Sequence, residues 1–418
     1  MQDKKKFDYN FVIIALCFMM ILFGLGLWSA KSLYVVPITS ALGVTRSAYS
    51  LAETMRYVSL AIVNIFFGYL VGKFGSKKLI CAGFVALTGA ATLYAVANTV
   101  WVLYIGGILL GVGLSWTSTT MVGYVVNKAC KKNRGTIMGF VLAANGISGA
   151  VMAQVVSFFI NNTSNPFGYR KAFVFMAVVA AIMLVVLLIF YREPKSEEQA
   201  EMPKKKARGT GWIGISYDQA KRKAYFYYAC VCILFTGFVL HGVTSVSAAH
   251  MSDVGLDGAY IATVTSVFSL SLAAFKFING FIYDRTGLRF TITVDCVAAI
   301  VSMGCLLFMK NNVSGMVLAM AYGVLAGLAL PLETVMLPIY ANDLFGDKSF
   351  SKVLSIYVSF NQIGYALGAS VINLFYDFTG SYNLSFIICI ALMVAILTVL
   401  QFVITSAHKE RIRIENVV

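Results

Sequence analysis

A run of about 20 consecutive apolar residues is long enough to cross a ~30 Å hydrocarbon core, and such runs recur about twelve times along this chain. They place spans near 10–38, 47–72, 77–98, 101–126, 135–160, 170–191, 223–250, 257–284, 289–310, 313–340, 350–378 and 382–406. In lipid every backbone amide must be satisfied within its own segment unless a barrel closes. No stretch alternates apolar and polar residues as barrel strands do, so the spans are expected to be helices. Composition agrees: 59% of residues are hydrophobic and 12% charged, with a mean hydropathy of +0.80, outside the range of soluble domains.

Lysine and arginine in short loops stay on the cytoplasmic side. With both termini inside, 26 of the 33 basic residues fall in cytoplasmic segments, including Lys4 to Lys6, Lys73, Lys77, Lys78, Arg285 and Arg289. The net charge of +15 therefore reads as a topology signal and an affinity for anionic lipid at the cytoplasmic face, and not as a nucleic-acid surface. "MQDKKKF" precedes an apolar run too long for a secretory leader, so that run is expected to be the first helix. The eight cysteines lie mostly within spans and form no C-x-x-C pair, which suggests neither disulfides nor a metal site.

The chain repeats itself. "GYLVGKFGSKK" from Gly68 and "GFIYDRTGLRF" from Gly280 share glycines at positions one and eight. Gly107 and Gly111 match Gly323 and Gly327 at nearly the same offset, and Asn145 matches Asn361. The polar stretch 192–222 divides the chain into an amino-terminal bundle (1–191) and a carboxy-terminal bundle (223–418). The expected fold is all-α and integral to the membrane, with twelve transmembrane helices in two pseudo-symmetric six-helix bundles. Duplicated halves with a site between them are how many secondary transporters are built.

The two glycine loops resemble the loop motif of the major facilitator superfamily, glycine-x-x-x-aspartate-basic-x-glycine-x-basic. Residues 28–55, "WSAKSLYVVPITSALGVTRSAYSLAETM", resemble the first two helices of monocarboxylate transporters and oxalate:formate antiporters. In those families helix eight carries a basic residue four positions before a glycine, where Lys276 stands before Gly280. The resemblance implies that Lys276 anchors a carboxylate. It also marks departures. Gly72 replaces the motif aspartate, Leu272 stands where animal monocarboxylate carriers have an aspartate, and Asn361 stands where oxalate carriers have a lysine. A neutral Asn361 matches a monoanion better than a dianion.

Physics singles out the same lysine. Lys276 lies eight residues from Asp284, ~12 Å from the helix end and deeper than its stem easily snorkels. A charge at that depth costs at least ~2.5 kcal/mol, so it faces a cavity or a partner. A structural pair with an acid on another helix is the alternative. Lys31 is shallower, and both a Lys31–Glu53 pair and a ligand contact fit it; Arg56 competes for Glu53 at i+3. Glu333, Asp253 and His241 are candidate proton carriers, each with a plain alternative: a paired acid, a solvated loop acid and a packed imidazole. Trp116, Tyr124, Asn145 and Asn361 are candidate cavity residues, with helix–helix contact as the alternative. Gly68, Gly75, Lys77, Gly280, Asp284, Arg285, Gly287 and Arg289 form the candidate gating loops. Of the in-membrane charges, Lys31, Arg56 and Lys276 exceed Glu53 and Glu333 by one, a surplus that a buried Asp295 would cancel.

No nucleophile with a base, P-loop or metal motif is present, so neither an enzyme nor a cofactor is expected. The expected function is secondary transport of a small organic monoanion such as lactate or pyruvate, coupled to protons, by a monomer in a bacterial inner membrane. Exchange of the oxalate:formate kind and transport of another solute or a drug are the alternatives.

Overall fold

The computed structural model describes residues 9–129, 134–162, 165–193, 214–346 and 348–415. The expected cytoplasmic lysines Lys4 to Lys6, Lys131 and Lys132, and linker residues 194–213, lie outside the described residues.

Helices account for nearly all of it. They are α1 (Tyr9–Met20), α2 (Val35–Leu42), α3 (Arg46–Ile65), α4 (Phe67–Phe74), α5 (Ser76–Val96), α6 (Val100–Thr117), α7 (Thr119–Ala129), α8 (Arg134–Asn161) and α9 (Tyr169–Phe190). After the linker come α10 (Tyr217–Ala220), α11 (Ala224–Val254), α12 (Gly258–Leu307), α13 (Val313–Ala329), α14 (Pro331–Thr334), α15 (Met336–Phe345), α16 (Phe350–Thr379) and α17 (Asn383–Glu415). Helix starts carry the side-chain acceptors that orphan amides require. Thr45 accepts from Ala48 N, Asp257 from Ala259 N and Tyr260 N, and Asn312 from Gly315 N.

Among the described residues, nine helices are long and apolar enough to cross a membrane, or ten if α3 and α4, bent by 61°, form one span. Two further crossings are hidden from that count. The 50-residue α12 breaks at Gly287, whose φ of 80° a side chain would resist. Asn279 and Asp295, each eight residues from Gly287, share a 2.7 Å hydrogen bond. In a straight helix they would stand ~24 Å apart, so α12 reverses and crosses twice. The 30-residue α16 is long enough but carries more polar residues than its neighbours. Twelve crossings result.

The crossings pack in two groups. In the first, α3 packs on α6, α5 on α6 and α9, and α8 on α1 and α9; in the second, α12 packs on α13 and α17, and α11 on α16 and α17. The groups meet through α8 against α12, α3 against α16, and α11 against the last part of the first crossing, Lys31–Leu42. At the end that carries Lys77, α4, α7 and α15 pack within their own groups. At the end that carries Arg46, the groups are joined.

Two crossings are broken where the candidate site lies. Between α1 and α2 the backbone passes through a π turn (Ile21–Leu25) and 3-10 turns at Gly26–Trp28 and Lys31–Tyr34; such irregular turns inside membrane helices expose backbone and re-aim side chains. Between α13 and α15, Pro331 ends the regular hydrogen bonding and isolates the one-turn α14 that carries Glu333.

The polar stretch 192–222 is packed at both of its described ends. Glu193 accepts from Ser76 Oγ (3.0 Å) and Lys77 N (3.3 Å), capping α5. Ile215 is buried and its N–H donates to Phe345 O. The apolar Ile215 and Ala220 supply the buried surface, and a Ser216–Gln219 capping box starts α10.

Candidate functional site

Lys31 enters from the broken first crossing and meets groups from two helices. Its Nζ lies 2.9 Å from Glu53 Oε2 of α3 and 2.6 Å from His241 Nε2 of α11. Arg56 Nη2 binds the same Glu53 oxygen at 2.7 Å. Both pairings weighed for Glu53 are therefore present together, and the i, i+3 spacing on α3 is what permits it. The Tyr57 hydroxyl lies 2.7 Å from His241 Nε2, and the Arg56 guanidinium covers the Tyr57 ring at 4.3 Å. The His241 ring stacks on Tyr365 of α16, with centroids 4.4 Å apart and planes 18° from parallel. Tyr365 in turn lies beside Glu333.

This chain of contacts crosses between the two groups of helices. Lys31, Glu53, Arg56 and Tyr57 come from the first; His241, Tyr365 and Glu333 come from the second. An imidazole nitrogen offers either one lone pair or one proton. With Lys31 as an ammonium at 2.6 Å, His241 Nε2 is an acceptor, and the imidazole is neutral in this arrangement.

Lys276 is half-buried on the first arm of α12. Among the described residues it makes no hydrogen bond or ion pair, and Glu333 is the acid whose charge acts on it. Its ammonium therefore lies within the membrane without a salt bridge among the described residues. Asp295 is fully buried, so in a formal count it cancels the cationic surplus; the case for an anion then rests on the unpaired Lys276 and not on net charge.

The other candidates are dispersed. Asn145 accepts from Ser29 Oγ at 2.9 Å, tying α8 to the broken first crossing. Asn361 is buried on α16 against Gly237 and beside Glu333. Trp116 packs near Gly83 with its Nε1 unpaired, and Tyr124 meets Phe67 edge-on under Lys128. Among the described residues, neither touches the Lys31–Glu333 chain. In the candidate gating loops, Lys77 Nζ donates to Leu188 O, Arg285 covers the Phe281 ring, and Arg289 donates to Thr405. Gly75 and Gly287 adopt positive φ, while Gly68 and Gly280 have open space around them. Asp284 lies on the first arm of α12, three residues before that break.

Asp253 is exposed, but it is held in an ion pair. Arg46 grips it with both guanidinium nitrogens, each at 2.6 Å, and Arg46 is itself covered by Tyr376 at 4.0 Å and bonded to Tyr382 at 3.0 Å. The Asp377 carboxylate accepts from the backbone N–H of Arg46 and Ser47, capping α3 from the opposite group. Below it Asn373 donates to Ser50 at 2.7 Å, and Thr54 pairs with Ser370 at 2.9 Å. Sequence reasoning missed Arg46 and Asp377; the only signal was a basic residue directly after the Thr45 cap. In Arg46→Gln the bidentate pair is lost, and Ser50→Cys in that background is expected to react with an impermeant maleimide at least about tenfold faster, the factor that 1.4 kcal/mol of lost closure gives. Equal labelling rates in both backgrounds would mean that this ion pair does not hold the end shut.

Twelve crossings in two groups, sealed on each other at one end and holding charge at mid-membrane, define a membrane transporter. A family model for the Major Facilitator Superfamily matches residues 16–337 and 229–416, and the chain belongs to that superfamily. It is similar to the sialic acid transporter NanX of Escherichia coli, 20% identical over 293 residues and 70% of each chain. It is also similar to monocarboxylate transporter 13 of Rattus norvegicus, 23% identical over 82% of this chain and 78% of that one. Among solved structures, the nucleoside transporter NupG overlaps with a TM-score of 0.75 at 13% identity, covering 96% of this chain and 99% of that chain. A D-xylose–proton symporter overlaps with a TM-score of 0.73 at 15% identity, covering 94% and 97%. At these identities the solved structures establish the fold alone. The family's members move small solutes, and this chain is a transporter and not an enzyme.

Proposed function

We propose that the chain is a proton-coupled secondary transporter of a small organic monoanion, a carboxylate of the lactate or pyruvate kind. The observation that carries this reading is Lys276, an ammonium inside the membrane without a salt bridge among the described residues. Two relatives support it, because sialic acid and monocarboxylates both present one carboxylate. Lys276 holds the carboxylate, with Lys31 released from Glu53 or His241 to assist; Asn145, Asn361, Trp116 and Tyr124 shape the surroundings.

Residues 1–191 rock against 223–418, with 192–222 as the tether. The basic loops favour the Lys77 end as the cytoplasmic one, with both termini inside, in a bacterial inner membrane on this reading. The sealed Arg46 end then faces out, and the arrangement is an inward-facing one. The loop residues Gly68 to Lys77 and Gly280 to Arg289 would close the opposite end in the other state, and anionic lipid would meet their basic side chains. The carrier acts as a monomer.

Of the three proton candidates, Asp253 is engaged by Arg46. His241 is the better coupler, since its protonation sets two cations against each other across the line along which the halves part; Glu333 senses it through Tyr365. Uptake of radiolabelled lactate, pyruvate, formate and oxalate into proteoliposomes, with a trans anion or a proton gradient, tests the reading. Gradient-driven uptake of a monoanion supports it, whereas movement that requires a trans anion identifies an exchanger.

A further inference from the structure

The two arms of α12 are joined by a pair of side chains whose hydrogen bonding is half complete. Asn279 Nδ2 donates to Asp295 Oδ1 at 2.7 Å, and both residues are fully buried. The other oxygen of each group, Asn279 Oδ1 and Asp295 Oδ2, is buried without a partner. Buried polar atoms are normally satisfied, and here the two unsatisfied ones belong to side chains that already touch. As two acceptors they cannot bond each other unless one of them carries a hydrogen.

The surroundings offer Asp295 no compensating charge. Among the described residues, Asn279 is the only side chain that acts on it. The ionisable groups nearby are the thiol of Cys296 and, next to that thiol, Cys232 of α11 and Tyr340 of α15. The packed α13 carries no charged residue, and α17 none before His408. A buried carboxylate without a cation takes up a proton in preference to bearing the cost of its charge. A carboxylic acid and a primary amide close a ring of two hydrogen bonds, from amide N–H to the acid carbonyl and from acid O–H to the amide oxygen. The first of these is the bond at 2.7 Å; the second joins the two unpartnered oxygens. Exchanging the oxygen and nitrogen of the amide gives the same ring. A water donating to both oxygens would satisfy them but leave the charge in place.

We propose that Asp295 is a proton-binding site: an uncharged carboxylic acid that closes a two-bond ring with Asn279. Asn279 lies three residues after Lys276, about one helical turn, so the ring holds that turn of the first arm against the second. Asp295 is thereby a positioning residue for Lys276. An uncharged Asp295 also cancels nothing in the formal count, and Lys31, Arg56 and Lys276 then exceed Glu53 and Glu333 by one. A surplus of one cation matches a monoanion. This deepens the transport reading above, and the charge count rests on it, whereas the ring does not.

The test is infrared spectroscopy of the purified full chain at neutral pH, where a protonated carboxyl absorbs above the amide band and a carboxylate does not. The expected result is a band there that moves on labelling with carboxyl-13C aspartate and is absent from Asp295→Asn. Asparagine can make both bonds of the ring, so this variant should keep the native melting temperature and the native preference for lactate over lactamide. Asn279→Leu keeps the acid and removes its partner. Its band is expected at higher frequency, its melting temperature lower, and its carboxylate uptake reduced about tenfold. Absence of a labelled band in the native chain would overturn the proposal and make Asp295 a carboxylate. A labelled band that stays in place in Asp295→Asn or in Asn279→Leu would overturn it as well, and the second of these comparisons decides if Asp295→Asn does not fold. A native chain that shows the band and carries no carboxylate would count against the transport reading alone.

Discussion

Lys276→Ala is expected to lower carboxylate uptake, measured as kcat/KM in proteoliposomes, by about 30-fold or more while leaving the fold intact. The size follows from one charge-assisted hydrogen bond, worth about 1.5–3 kcal/mol, lost where few waters compete. The intact fold follows from geometry. Removing one member of a buried ion pair strands its partner and destabilises by about 3–5 kcal/mol, but Lys276 has no such partner among the described residues. The two readings of this lysine therefore separate in one pair of measurements. Loss of uptake with an unchanged melting temperature marks a ligand; a collapse of both marks a structural role. Lys276→Arg should retain part of the activity, since the charge persists though the donor geometry changes.

His241→Gln is expected to abolish accumulation against a concentration gradient and to spare exchange. Glutamine keeps a carbonyl that can accept from Lys31 and Tyr57, yet cannot take a proton. In the native chain, two unit charges 4 Å apart at an effective dielectric of 20 repel by about 4 kcal/mol, and Lys31 Nζ is only 2.6 Å from His241 Nε2. Protonating His241 thus works against the sealed Arg46 end, because Lys31 and His241 belong to opposite halves. An incoming carboxylate between the two cations removes the penalty. A protonated empty carrier is held open at that end until the anion arrives, which is the condition for symport. The neighbours that face His241 are Lys31, Tyr57, Arg56 and, through Tyr365, Glu333. Only His241 changes in the variant, so a native-like response to a pH gradient in His241→Gln would transfer the coupling role to Glu333.

The crossings were legible because apolar length is a local property. The reversal at Gly287 was legible too, since the repeated glycine spacing marks a turn without reference to the rest of the fold. Lys31, Glu53 and Arg56 were readable as a cluster, because the last two share a helix face and all three lie at similar depth. What was not legible depends on which helices become neighbours. His241 lies 210 residues from Lys31, and nothing local to either residue indicates that α11 meets the broken first crossing. Arg46 and Asp253 each look like ordinary helix-end charges until the ends are brought together. Asn361 was read from its repeat partner as a cavity residue, but the close approach permitted by Gly237 sets it beside Glu333. Nothing in the polar composition of 192–222 indicates that Glu193 and Ile215 find partners on α5 and α15.

The decisive measurement compares uptake of labelled lactate with that of lactamide, its neutral analogue, in proteoliposomes of the native chain under an imposed proton gradient and without one. Lactate concentrated inside under the gradient, with lactamide at the level of protein-free vesicles, is the predicted result. Uptake that treats the two alike, or that carries a sugar or nucleoside and neither of them, would contradict the assignment of Lys276 as the anchor of a carboxylate.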